Sequence, residues 1–99
     1  MIRMRVKVQY MGAARVMLKK KEEDVEVSLK TTLSELLDKL ANIYGEGFRN
    51  EVFEDDGKEV SKGLVVTVNG IAIGQLGGIQ TKLREGDVVT LLPFLAGGG

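Results

Sequence analysis

Five residues at the end of the chain, Leu95-Ala96-Gly97-Gly98-Gly99, form the one arrangement in this sequence whose chemistry is easily stated. Three consecutive glycines at a terminus leave a thin, flexible rod with a carboxylate at its tip, the anatomy of a tail that enters another protein's active site. The ordinary alternative is a frayed end, the usual state of terminal residues. Little else in the chain can do chemistry. With no cysteine and no histidine, it has no thiol nucleophile, imidazole base, disulfide, or thiolate or imidazole metal site. Ser28, Ser34 and Ser61 remain as hydroxyl nucleophiles, but each would need a lysine base held in an apolar pocket. They read more simply as polar residues of a strand, a helix and a loop.

Composition bounds the setting of such a tail. Ninety-nine residues suit one domain with a single core. Apolar residues make up 43% and charged residues 28% of the chain, as in soluble globular proteins, and no apolar run approaches the ~20 residues of a membrane span. The cytoplasm is the default compartment. Fourteen basic residues balance fourteen acidic ones, so no global field attracts nucleic acid or an anionic membrane, and neither is expected as a partner.

The elements that must carry the tail follow from the patterning. Ile2, Met4, Val6, Val8 and Tyr10 alternate with Arg3, Arg5, Lys7 and Gln9, the period of a strand with one buried face. A loop around residues 11–14 leads to a second strand at Val25 to Leu29, with an irregular hairpin back toward Arg15 as an extension. Antiparallel pairing would set Asp24 and Glu26 opposite Arg5 or Lys7, tuning register more than stability. Thr32-Leu33-Ser34-Glu35 has the spacing of a capping box, and Leu33, Leu36, Leu37, Leu40 and Tyr44 form one apolar helical stripe that Gly45 ends. Phe48, Val52 and Phe53 anchor a short helical turn beside the acidic loop Glu54 to Glu59. Leu64 to Val68 read as a strand, with Asn69-Gly70 a type I′ turn toward Ile71 and Ile73. Gly74-Gln75-Leu76-Gly77-Gly78 lacks the Gly-Lys-Ser/Thr ending of a phosphate-binding loop and reads as an ordinary loop. Gly86-Asp87 turns into a last strand, Val88 to Leu92, where Pro93 stops the pairing for want of an amide hydrogen.

Two units result, a domain at 1-92 and a tail at 93-99. If Val89 and Leu91 face the core, parity puts Val88, Thr90 and Leu92 on the outer face beside Arg3, Arg5 and Lys7, with Phe94 and Leu95 at the edge. That patch could dock a partner. Alternatively, Leu92 and Phe94 cover the end of the core.

The order strand, strand, helix, strands, last strand, tail resembles the α+β fold called β-grasp, in which a mixed, ubiquitin-like sheet curls around one main helix. Val66-Thr67-Val68-Asn69-Gly70, Gly86-Asp87-Val88-Val89 and Leu92-Pro93-Phe94-Leu95-Ala96-Gly97-Gly98 together resemble the MoaD/ThiS family of sulfur carriers, closest to the branch of the molybdopterin synthase small subunit. The resemblance implies a carrier without a catalytic site or bound cofactor of its own. A ubiquitin-activator-like enzyme would spend ATP to adenylate the C-terminal carboxylate, and a sulfur donor protein would convert it to a thiocarboxylate. The sulfur would pass to a pterin precursor in the active site of the synthase large subunit. On this reading the reactive residue is Gly99, or Gly98 if the last residue is trimmed, and Leu92, Pro93, Phe94, Leu95, Ala96 and Gly97 meet the partner. From Pro93 to Gly99 the tail spans on the order of 24 Å when extended. The alternative is a ubiquitin-like modifier joined to target lysines, serving also in tRNA thiolation. The added length at Met11 to Asp24 and Glu46 to Gly63 favours the molybdopterin or archaeal-modifier branch over the thiamine one.

Overall fold

The computed structural model describes residues 2–94. Strand β1 (Arg3–Tyr10) leads through helix α1 (Ala13–Leu18) to β2 (Glu22–Ser28). Helices α2 (Leu33–Tyr44) and α3 (Glu46–Val52) follow. Then come β3 (Leu64–Val68), the short β4 (Ile71–Ala72), two single 3₁₀ turns and β5 (Val88–Pro93). The sheet order is β2-β1-β5-β3-β4. Among the described residues the β1–β5 pair is parallel and the other pairs are antiparallel. This mixed sheet with its helices is the expected β-grasp.

Local chemistry explains why the elements start and stop where they do. Alternation in β1 buries Met4, Val6, Val8 and Tyr10. Ile2 breaks the expected pattern: it precedes the first ladder pair, Arg3 with Ser28, and is 71% exposed. The capping box closes as expected. The Glu35 amide donates to Thr32 Oγ1 at 3.2 Å, and the Thr32 amide donates to Glu35 Oε1 at 2.9 Å, an N-cap arrangement whose loss typically costs about 1 kcal/mol. Leu33, Leu36, Leu37 and Leu40 are buried against the sheet. At the other end, Gly45 takes a φ of 100°, a left-handed angle that glycine adopts without a Cβ clash. From α3, Phe48 inserts beneath the helix, edge-on to Tyr10 at 6.3 Å and tilted against Tyr44 at 5.6 Å.

The connection from β1 to β2 and the start of β2 also differ from the sequence expectation. Residues 13–18 form a short helix where a loop and an irregular hairpin were expected; α1 buries Ala14 and is closed by Lys19 in a left-handed conformation. Strand β2 begins three residues earlier than expected, at Glu22, and ends at Ser28. Its acidic start is tolerated because each carboxylate has a place. Glu22 meets Lys7 at 3.0 Å, and Asp24 sits opposite Lys7 in the register. Glu23 turns toward the interior, where Tyr10 Oη and Tyr44 Oη donate to its Oε2 at 2.5 and 2.6 Å. Partial burial pulls the Glu23 carboxyl upward, but the two phenol hydrogen bonds and the nearby Lys20 outweigh this and hold it below the usual glutamate range. Burial, then the hydrogen bond to Glu23, pushes the Tyr10 phenol well above its ordinary value.

Candidate functional site

Strand β5 is the last described element before residues 95–99, where the expected reactive residues lie. It lies between β1 and β3, and its core-facing residues Val89 and Leu91 are fully buried. Val88, Thr90 and Leu92 take the outer face, as parity requires, and are half-buried there. Val65 and Thr67 of β3 sit opposite Leu92 and Thr90, so the outer surface along β3 and β5 is apolar and hydroxylic.

The start of β5 is fixed by a clasp that sequence reading treated as two independent turns. Asn69 and Gly70 have φ of 53° and 83°, the left-handed pair of a type I′ hairpin. The Asn69 side chain reaches across to the other turn: its amide donates to Asp87 Oδ1 at 2.9 Å, and its carbonyl oxygen accepts from the Val88 amide at 2.9 Å. Asp87 Oδ2 in turn accepts from the Arg84 amide at 2.8 Å. The Asn-Gly and Gly-Asp motifs are therefore one structure. No sequence-local signal reveals it, because the partners are separated along the chain and meet only when β3 and β5 pair.

At the far end, β5 runs one residue beyond the expected boundary. Pro93 pairs with Leu64, and the Phe94 amide donates to the Gly63 carbonyl at 3.0 Å. Proline does not end the pairing here, since the next amide makes the bond that its own nitrogen cannot. Phe94 is 57% exposed, so it does not cap the core. Leu92, Pro93 and Phe94 thus stand together at the exit, whereas Leu95, Ala96, Gly97, Gly98 and Gly99 lie outside the described residues.

The surroundings of the exit also differ from expectation. Because β5 runs parallel to β1 and begins level with Lys7, only Lys7 and Gln9 lie beside its outer face, opposite Val88 and Thr90. Thr90 Oγ1 donates to Gln9 Oε1 at 3.0 Å. Arg5 lies by the Glu85–Asp87 turn, its carbonyl accepting from Gly86, and Arg3 lies beyond it toward Glu26. Both are at the opposite end from the exit. The segment that borders the exit is instead the start of α1. The Met11 amide donates to the Leu91 carbonyl at 2.9 Å. A Cβ on Gly12, at φ 64°, would stand 3.0 Å from both Cγ and Cδ of Pro93.

Within the described residues no group of three or more acidic, histidine or cysteine side chains could hold a metal ion, and no helix is long and apolar enough to cross a membrane. Ser28 and Ser61 serve local backbone geometry. Ser28 offers its carbonyl to Thr31, and Ser61 Oγ accepts from the Gly63 amide at 3.3 Å.

A sequence model of the ThiS family matches residues 8–98. The chain belongs to this family of ubiquitin-like sulfur carriers and modifiers. It is 33% identical over 76 residues to the Archaeoglobus fulgidus protein named "Putative sulfur carrier protein", covering 76% of this chain and 84% of that one. It is 28% identical over 95 residues to the Caenorhabditis elegans ubiquitin-related modifier 1 homolog, covering 94% and 95% of the two chains. In three dimensions it is similar to the HVO 2177 protein of Haloferax volcanii, with a TM-score of 0.81, 29% identity and coverage of 97% and 88%. The clasp and the Pro93 exit both fall inside the matched span, as do Gly97 and Gly98.

Proposed function

We propose that this chain is a sulfur carrier whose terminal glycine, Gly99 or a trimmed Gly98, is adenylated and converted to a thiocarboxylate for molybdopterin assembly. The observation that carries the reading is β5: a strand clasped at its start, buried on one face and open at Pro93 and Phe94, followed in sequence by Leu95-Ala96-Gly97-Gly98-Gly99 in a chain of this family. A rigid strand feeding glycines without Cβ atoms suits a tail that must thread a narrow channel.

The chemistry asks little of the domain itself. A terminal carboxylate oxygen attacks the α-phosphorus of ATP and pyrophosphate leaves. A sulfide-level nucleophile from the donor protein then attacks the acyl carbon and AMP leaves. The activating enzyme supplies the electrostatics for both steps, and this chain supplies orientation and an electrophilic carbon. Leu92, Pro93 and Phe94 make the contacts at the mouth of the partner's channel, with Leu95, Ala96 and Gly97 inside it. The absence of cysteine is consistent with a carrier that must not trap its own acyl group as an internal thioester.

Incubation with an adenylating enzyme, ATP and sulfide, followed by intact-protein mass spectrometry, tests the reading. Wild type is expected to exchange one terminal oxygen for sulfur. Gly98→Ala and Gly99→Ala should lower that rate far more than they lower the thermal midpoint, and unchanged rates would overturn the narrow-channel argument. A second reading, a modifier whose terminal glycine joins target lysines, is favoured by the similarity to the nematode modifier homolog along nearly the whole chain. Peptides branched on lysine with this tail would identify it, and copurification with a synthase large subunit would identify the pterin role.

A further inference from the structure

The connection from β1 to β2 is the most basic stretch of the sequence, with Arg15, Lys19, Lys20 and Lys21 inside seven positions. Among the described residues only Lys20 of these four has a carboxylate partner, Glu23 at 3.4 Å, and that carboxylate already accepts from Tyr10 and Tyr44. Apolar side chains are exposed in the same segment: Val16 is 77% exposed, and its neighbour Met17 and Met11 five positions before it are exposed as well. Arg15, Val16, Lys19, Lys20 and Lys21 line an open cleft of about 400 Å³. Arg15 and Lys21 also border a neighbouring hollow lined by Gln9, Tyr10, Met11 and Glu22, whose carboxylate is paired with Lys7.

The fold does not account for this composition. Exposed aliphatic side chains gain nothing from burial, and neighbouring like charges repel in the free chain. Its position is informative instead. The segment is tied to β5 through the Met11 bond to Leu91 and the Gly12 contact with Pro93, so whatever occupies it lies next to the exit of the tail. A phosphate backbone would use the cations but give Val16, Met11 and Met17 no role, and the cleft offers no aromatic side chain on which a base could stack. An acidic polypeptide with an aliphatic side chain among its carboxylates uses both.

We infer that the Met11–Lys21 surface is a docking face for an acidic, apolar-centred protein segment, carried by the protein that receives the tail. Only the identity of the carrier rests on the proposed function; the binding chemistry does not. It steers a partner by charge and seats it on Val16, in the segment whose Gly12 stands against Pro93.

The test uses the full chain labelled with ¹⁵N and a synthetic peptide alternating Glu and Leu. Control probes are the same peptide with Gln for Glu and a polyuridylate oligonucleotide. The acidic peptide is expected to shift the amides of residues 11–21 and to bind more tightly than either control. Lys19→Glu with Lys21→Glu should weaken it about tenfold or more, and added salt should weaken it as well. Both lysines are exposed and make no side-chain hydrogen bond or ion pair among the described residues, so the thermal midpoint should hold. Val16→Ser should weaken binding with no change in charge. Shifts confined to another face, undiminished binding by the charge-reversed variant, or tighter binding of the oligonucleotide would overturn the inference. Normal thiocarboxylate formation without peptide binding would refute the docking face alone. Peptide binding by a chain that never gains sulfur would refute the tail reading alone.

Discussion

Gly12→Ala tests how the body aims its C-terminal strand. Gly12 holds φ 64° and ψ −137°, a combination almost confined to glycine, and placing an L-residue there costs about 1–3 kcal/mol. Its new Cβ would lie 3.0 Å from two carbons of the Pro93 ring. Few real Cβ contacts are so tight, so the ring must give by a few tenths of an ångström, adding about 1 kcal/mol if the strain resembles that of a displaced rotamer. The sum is about 2–4 kcal/mol. A double-mutant cycle isolates the contact. In a Pro93→Ala background the ring carbons are gone, and Gly12→Ala should cost about 1 kcal/mol less than in the wild type. Urea unfolding of the four proteins at neutral pH measures all the terms. Because the single variant moves Pro93, it should also slow activation of the tail more than its stability loss explains. Additive costs within about 0.3 kcal/mol would show that glycine and proline do not meet, and the exit geometry argued from them would be wrong.

Glu23→Ala leaves the buried Tyr10 phenol without its acceptor and should destabilise by about 1–3 kcal/mol. The Glu23 carboxyl is held below its ordinary value in the folded chain. Its contribution is therefore full above the unfolded pKa of about 4.3 and is lost as pH falls through the lower folded value. Denaturant titrations across this range should show the gap between wild type and variant narrowing in acid; a constant gap refutes the assignment. Asn69→Gly keeps the left-handed turn, φ 53° in the wild type, while deleting both side-chain bonds to the Gly86-Asp87 side. It should cost about 1–2 kcal/mol. A neutral or stabilising effect in thermal unfolding would show that the clasp is incidental.

What the sequence made legible was local and periodic. The alternation of β1 from Met4 to Tyr10, the Thr32–Glu35 box, the leucine stripe of α2 and the Asn69-Gly70 turn each involve residues within a few positions of one another, and each formed where expected. The sheet face of Leu92 followed from parity alone. Helix α1 was not legible, because it is under two turns long and buries only Ala14, too little for a helical period to stand out. The acidic opening of β2 lies outside the strand expected at Val25 to Leu29, since nothing near it in sequence announces that Tyr10 and Tyr44 will receive Glu23. The expected basic rim at Arg3 and Arg5 failed on register. Parity fixes which face a residue takes, but not how far one strand slides along its neighbour, and β5 begins level with Lys7. The cations near the exit belong instead to α1 and the turn after it.

The central claim is that the end of this chain carries sulfur. Intact-protein mass spectrometry of the chain isolated from its native cells, under conditions that preserve thioacids, tests it most directly. A fraction heavier by the exchange of one oxygen for sulfur is expected, localised by fragmentation to Gly99 or to Gly98 after loss of the last residue. A terminus found only as the ordinary carboxylate, with an active sulfur donor and activating enzyme in the same cells, would contradict it.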